Sequence, residues 1–111
     1  MLWLTCGHTW ARRLGTRCLA AVAAAKAGLR MVSQSMAREF GPQGLHVAHV
    51  VVDDLIDGER AGEVAPEHVA TKGADGLLRP EAIAETYFQL HQQPRNTWTQ
   101  ELDLRPFSEP F

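Results

Sequence analysis

No acidic residue occurs before Glu39 in this 111-residue chain, whereas six bases do: Arg12, Arg13, Arg17, Lys26, Arg30 and Arg38. The first part therefore carries +6 and the remainder −8, with 13 acids in all, for a formal net charge of −2. An acid-free, Arg-rich start has the composition of a mitochondrial transit peptide. It also suits a surface that meets phosphate or nucleic acid. The plainer expectation is a helix whose bases lie on its solvated face, with no nucleic-acid partner. Long apolar runs are lacking as well. No stretch approaches the roughly 18 residues needed to span a membrane, so no membrane partner is expected. The expected location is cytoplasmic, with the mitochondrion as the alternative.

Cysteine is scarce. Cys6 and Cys18 are the only two, and they fit neither a metal-ligand spacing nor a disulfide framework. Two free thiols in a reducing interior are expected, with no metal site and no nucleophilic role. The length allows one domain at most.

What is present is an alternation of strand and helix signals. Met1–Cys6 (MLWLTC) is a short apolar run ending at Gly7, the pattern of a buried strand. His8–Thr16 reads as a basic loop, with Thr16 as the helix N-cap. The long helix Leu19–Phe40 follows, alanine-rich around a single lysine, Lys26. It is expected to end at Gly41-Pro42, with Gly41 in the left-handed cap. Gly28 inside it costs on the order of 1 kcal/mol relative to alanine, which suggests that something packs closely there.

Leu45–Val52 (LHVAHVVV) has β-branched residues on both faces, the pattern of a strand in a parallel sheet covered on both sides. His46 and His49 are three apart, so they point to opposite faces and act as packed structural side chains. Asp53–Arg79 shows no period and is expected to be a binding lid or a poorly ordered loop, with helical turns near Asp57–Glu63 and Pro66–Thr71. Asp53, Asp54 and Asp57 form an acidic cluster, expected to be a solvated loop rather than a cation site. Pro80–Gln92 reads as a second helix, with Pro80 at its first position and Ile83, Tyr87 and Leu90 as its apolar stripe. Thr97–Leu104 (TWTQELDL) alternates as a half-buried or edge strand. The expected architecture is α/β: a partial doubly wound parallel sheet of about three strands with two main helices.

Several segments, in order, resemble the C-terminal half of a short-chain dehydrogenase/reductase, a Rossmann-type family. They are Ala23–Arg30 (AAAKAGLR), Ser33–Glu39 (SQSMARE), Gly41–Val47 (GPQGLHV) with Val50–Asp53, and Leu78–Glu85 with Trp98–Pro106. The resemblance covers residues 19–111. It divides a single partial domain into a divergent 1–18, a helix and strand over 19–52, a loop over 53–79, and a helix, strand and tail over 80–111.

The resemblance implies an oxidoreductase linked to NAD or NADP. In that family the long helix opens with Tyr-x-x-x-Lys: the tyrosine exchanges a proton with the substrate oxygen, and the lysine holds the nicotinamide ribose and lowers the tyrosine's pKa. Lys26 takes the lysine's place, and is thereby the candidate catalytic and cofactor-binding residue. The tyrosine's place is Val22, whose isopropyl group cannot donate a proton. Such an acid/base group is typically worth about 10²–10⁴ in rate. The family's assisting serine falls on Thr9, whose neighbours match poorly, so no role is assigned to it. Asp53-Asp54 stands where many members have Pro-Gly, and nothing resembles the Gly-rich turn that receives the cofactor pyrophosphate.

The expected function is thus that of a truncated, pseudoenzyme-like oxidoreductase fragment, inactive alone and holding no cofactor by itself. The alternative is a non-catalytic interaction module that pairs through helix 19–40 with itself or with a full-length relative. A third reading gives the basic N-terminus a targeting role.

Overall fold

A computed structural model describes residues 2–7 and 19–108. Three strands, β1 (Leu2–Gly7), β2 (Val47–Val52) and β3 (Glu101–Leu104), form one sheet in the order β1-β2-β3. Both pairings are parallel: Leu2 stands opposite Val47 and Gly7 opposite Val52, while His49 faces Glu101 and Val52 faces Leu104. The helices are α1 (Leu19–Phe40), α2 (Glu59–Val64), α3 (Pro66–Thr71) and α4 (Pro80–His91). The partial doubly wound α/β architecture is the one the alternation implies. The expectations for His8–Thr16, including Thr9 and the Thr16 cap, and for Cys18, fall outside the described residues.

β2 is buried from end to end, because it lies between two strands and two helical layers. Its alternate residues divide between those layers. Val50 and Val52 face α4, where they meet Leu90, with Leu78, Tyr87, Leu102 and Leu104 packed around them. His49 faces the side of α1. Burying β-branched side chains on both faces is what an all-parallel strand requires. Of the stripe on α4, Leu90 is buried and Ile83 and Tyr87 are half-buried, while Phe88, outside the stripe, is exposed.

The end of α1 differs from expectation. Gly41 does not take the left-handed cap. A 3-10 turn, Gly41–Gln43, carries the chain one step further, and Gly44 adopts φ +87° with its amide bonded to the Gly41 carbonyl at 2.9 Å. The residue free of a Cβ is used where the chain reverses, after Pro42 has opened the turn. Gly28 also departs from expectation: a Cβ there would meet nothing within 4 Å.

Segment 53–79 is an ordered excursion. The expected helical turns appear as α2 and α3, and the two ends are tied together. Leu78 donates to the Leu55 carbonyl at 3.0 Å and accepts from Asp57 at 2.8 Å, with a parallel bridge between Ile56 and Leu78. Backbone pairing of that kind gives a segment without apolar periodicity a fixed course.

Candidate functional site

The three strands run the same way, so their carboxyl ends, at Gly7, Val52 and Leu104, share one edge of the sheet. α1 packs along β1 and β2. Leu45 donates to the Phe40 carbonyl at 3.2 Å, which sets the helix C-terminus level with the entry to β2. Lys26 stands 14 residues before Phe40, about 21 Å along a helix rising 1.5 Å per residue. The seven steps of extended chain from Leu45 to Val52 cover about 23 Å. Lys26 is therefore level with the carboxyl ends of the strands.

Its direction follows from the helix period. Lys26, Leu29, Ser33, Met36, Ala37 and Phe40 are buried or half-buried, and at 100° per residue they fall within an arc of about 100°. Val22, four residues before Lys26, lies on the same arc and is 43% exposed at the helix's first turns. Lys26 is thus half-buried on the sheet side of α1, level with the carboxyl ends of the strands. No hydroxyl or imidazole stands at the position one turn earlier.

The opposite side of α1 presents Ala20, Ala21, Ala24, Ala27, Gly28, Met31, Val32 and Ser35, all exposed. Of these, Met31 and Val32 are the large apolar ones, at 55% and 51% exposure.

The acidic cluster is where the structure corrects the sequence. Asp53 and Asp54 are buried, not solvated. The Arg105 guanidinium donates to Asp53. Lys72 donates to Asp54 at 2.5 Å, the Leu55 amide donates at 2.7 Å, and His68 lies 3.4 Å from the same carboxylate. Burial alone pushes the Asp54 carboxyl up, but the bonds from Lys72 and Leu55, the Lys72 charge and His68 outweigh it, leaving the group below its ordinary range. Asp57 remains exposed. Two adjacent carboxylates at the mouth of a buried strand must be paired to be tolerated, and that was the available signal. Their partners, 14 to 52 residues away, had none.

The two histidines are packed as expected, on different partners. His46 stacks on Trp98 with ring centroids 4.7 Å apart and meets the Thr99 carbonyl at 2.8 Å. His49 is fully buried and lies 3.0 Å from a Glu101 carboxylate oxygen. The same carboxylate receives Arg30 from α1 in a two-pronged bond, at 2.8 and 2.5 Å. Arg30 is exposed, as expected, and in addition ties α1 to β3. The Arg30 bond is the largest influence holding Glu101 below its ordinary range, with His49 adding to it against the cost of burial.

A cleft of about 240 Å³ lies between α3 and the segment entering α4, lined among others by Asp57, Lys72, Asp75 and Arg79. Among the described residues no group of three or more His, Cys, Asp or Glu is placed to hold a metal ion. No described helix is long and apolar enough to cross a membrane.

A parallel sheet in sequential order with helices on both faces defines a partial Rossmann-like fold. The crystal structure of a short-chain dehydrogenase from Rhodopseudomonas palustris is similar to it, at TM-score 0.58 and 35% sequence identity. The match covers 95% of this chain and 38% of that one. The chain therefore spans well under half the length of the dehydrogenase it resembles. No family model matches the chain, and no curated protein matches it. At that identity the likeness includes sequence as well as shape, and it supports a resemblance to short-chain dehydrogenases.

Proposed function

We propose that the chain is the C-terminal part of a nicotinamide-cofactor-linked oxidoreductase domain of the short-chain dehydrogenase type, catalytically incompetent by itself. The observation that carries the reading is the pair Val22 and Lys26: one helical arc at the strands' carboxyl ends holds a fixed cation and, one turn earlier, an isopropyl group. Lys26 is suited to hold the ribose hydroxyls of NAD or NADP. The chemistry that the cofactor supplies when bound is hydride transfer. Val22 neither donates nor accepts the proton that a carbonyl or alcohol substrate exchanges in that step.

A fluorescence titration of the full chain with NADH and NADPH tests the reading. The expected result is no saturable enhancement up to millimolar cofactor. A micromolar dissociation constant would overturn it.

The outer side of α1 favours a second reading, a non-catalytic module pairing through helix 19–40 with a second copy or a full-length relative. Small residues beside exposed Met31 and Val32 allow close helix approach, and scattered single apolar residues would not need explaining whereas a continuous face does. Light scattering at tens of micromolar is the test: a folded monomer would count against self-pairing.

A further inference from the structure

In an aspartate-glycine pair the side-chain carboxyl is open to attack by the next backbone nitrogen, because glycine brings no Cβ to obstruct the approach. The chain has two such pairs, Asp57-Gly58 and Asp75-Gly76, both in the excursion between β2 and α4. The fold treats them differently. The Gly76 amide is bonded to the Gly73 carbonyl at 3.0 Å, and Gly76 is buried. A Cβ on Gly76 would stand 2.8 Å from the Lys72 Cβ and 2.9 Å from the Gly73 carbonyl oxygen. Asp75 is held at φ +59°, so cyclisation there must first break the turn.

At the other pair, Asp57 and Gly58 are both exposed. The Gly58 amide and the Asp57 carboxylate make no hydrogen bond among the described residues. A Cβ on Gly58 would meet nothing within 4 Å. The Asp57 amide is fastened to the Leu78 carbonyl at 2.8 Å, which fixes the backbone just before the reacting atoms.

We propose that Asp57-Gly58 is a modification site that converts spontaneously to a succinimide and then to isoaspartate, while its turn protects Asp75-Gly76. The Gly58 nitrogen attacks Cγ of the protonated Asp57 carboxyl. An N–C bond forms, the C–OH bond breaks, and the amide proton leaves with the hydroxyl as water. Water then opens the ring: addition at Cγ restores aspartate, and addition at the α-carbonyl gives isoaspartate. The product keeps its negative charge but carries it on Cα. The main chain gains one carbon just ahead of α2, beside the cleft that Asp57 lines.

The test incubates the full 111-residue chain at mildly acidic pH for several weeks, folded and in urea. Trypsin then releases Asp57 within Glu39–Arg60 and Asp75 within Gly73–Arg95, since Arg79 precedes a proline. Electron-transfer fragmentation distinguishes isoaspartate from aspartate in each peptide. In the folded chain, isoaspartate is expected at Asp57 on the order of tenfold faster than at Asp75, where local opening must come first. In urea the two rates are expected to converge to within about twofold, because that protection is gone. Gly58→Ala, whose Cβ meets open space, is expected to slow Asp57 by on the order of tenfold and to leave Asp75 unchanged. Equal rates in the folded chain, a faster Asp75, no isoaspartate at Asp57, or a difference that persists in urea would each overturn the proposal.

Discussion

Arg30 and Glu101 are 71 positions apart in the chain and form a two-pronged ion pair that fastens α1 to β3. Arg30 is 45% exposed, so solvent and salt discount its share. Glu101 also serves the fully buried His49, and there the cost of removal is larger. Arg30→Ala is expected to lose about 0.5–1 kcal/mol in urea unfolding. Glu101→Ala is expected to lose about 1–3 kcal/mol, because the His49 imidazole is then stripped of its carboxylate. Equal losses for both variants would show that His49 draws nothing from Glu101.

The two depressed carboxylates set an acid limit on stability. Asp54 lies below its ordinary value of 3.8 and Glu101 below 4.5, so the unfolded chain binds more protons than the folded one in that range. Their contribution is complete above those ordinary values and is lost as pH falls through the folded ones. Unfolding free energy measured from pH 6 to pH 2 is expected to decline below about pH 4.5, and the decline should be shallower in Asp54→Asn. A variant with the same slope as the parent would show that Lys72 and His68 do not stabilise the charged form.

Ser33 sits at the centre of the α1–sheet contact, fully buried, and its hydroxyl has no hydrogen-bond partner among the described residues. An unsatisfied buried hydroxyl is destabilising relative to a methyl of similar shape, and alanine is the better helix former. Ser33→Ala is expected to raise stability by about 1 kcal/mol in denaturant unfolding. A loss of stability would reveal a partner to the hydroxyl.

Two glycines at one turn separate backbone geometry from mere position. Gly44→Ala forces a Cβ into φ +87° with the Arg95 guanidinium 3.5 Å away, and about 1–2 kcal/mol of destabilisation is expected. Gly41→Ala meets open space and should fall within about 0.5 kcal/mol of the parent, or gain slightly. Thermal unfolding of the two variants side by side decides it.

Restoring the missing group tests how the site is divided. Val22 is exposed in the first turns of α1, so Val22→Tyr should leave stability within about 0.5 kcal/mol of the parent, as exposed substitutions usually do. In the isolated chain it should also leave NADH fluorescence unchanged. Cofactor binding gained by this single change would mean that the chain needs no further half to bind it.

The residues by themselves determined the elements and their order. Leu19–Phe40 appears with the boundaries its periodicity predicts, β2 keeps the tail of its valine run, and α4 starts at Pro80, because period, caps and prolines act over a few positions. That Val22 and Lys26 share one face of that helix was equally legible, since a four-residue spacing on a helix fixes a shared face. Only the tertiary structure decided which charges meet. Asp53 and Asp54 looked like a solvated cluster until folding buried them and brought up Arg105, Lys72 and His68. Arg30 keeps its solvent-facing place, but only β3 supplies the Glu101 carboxylate it meets. Local propensity contains no information about partners tens of residues apart. Those pairings exist because burying a strand's carboxyl end leaves its charges without water, and the fold must then supply opposite charges from wherever the chain returns.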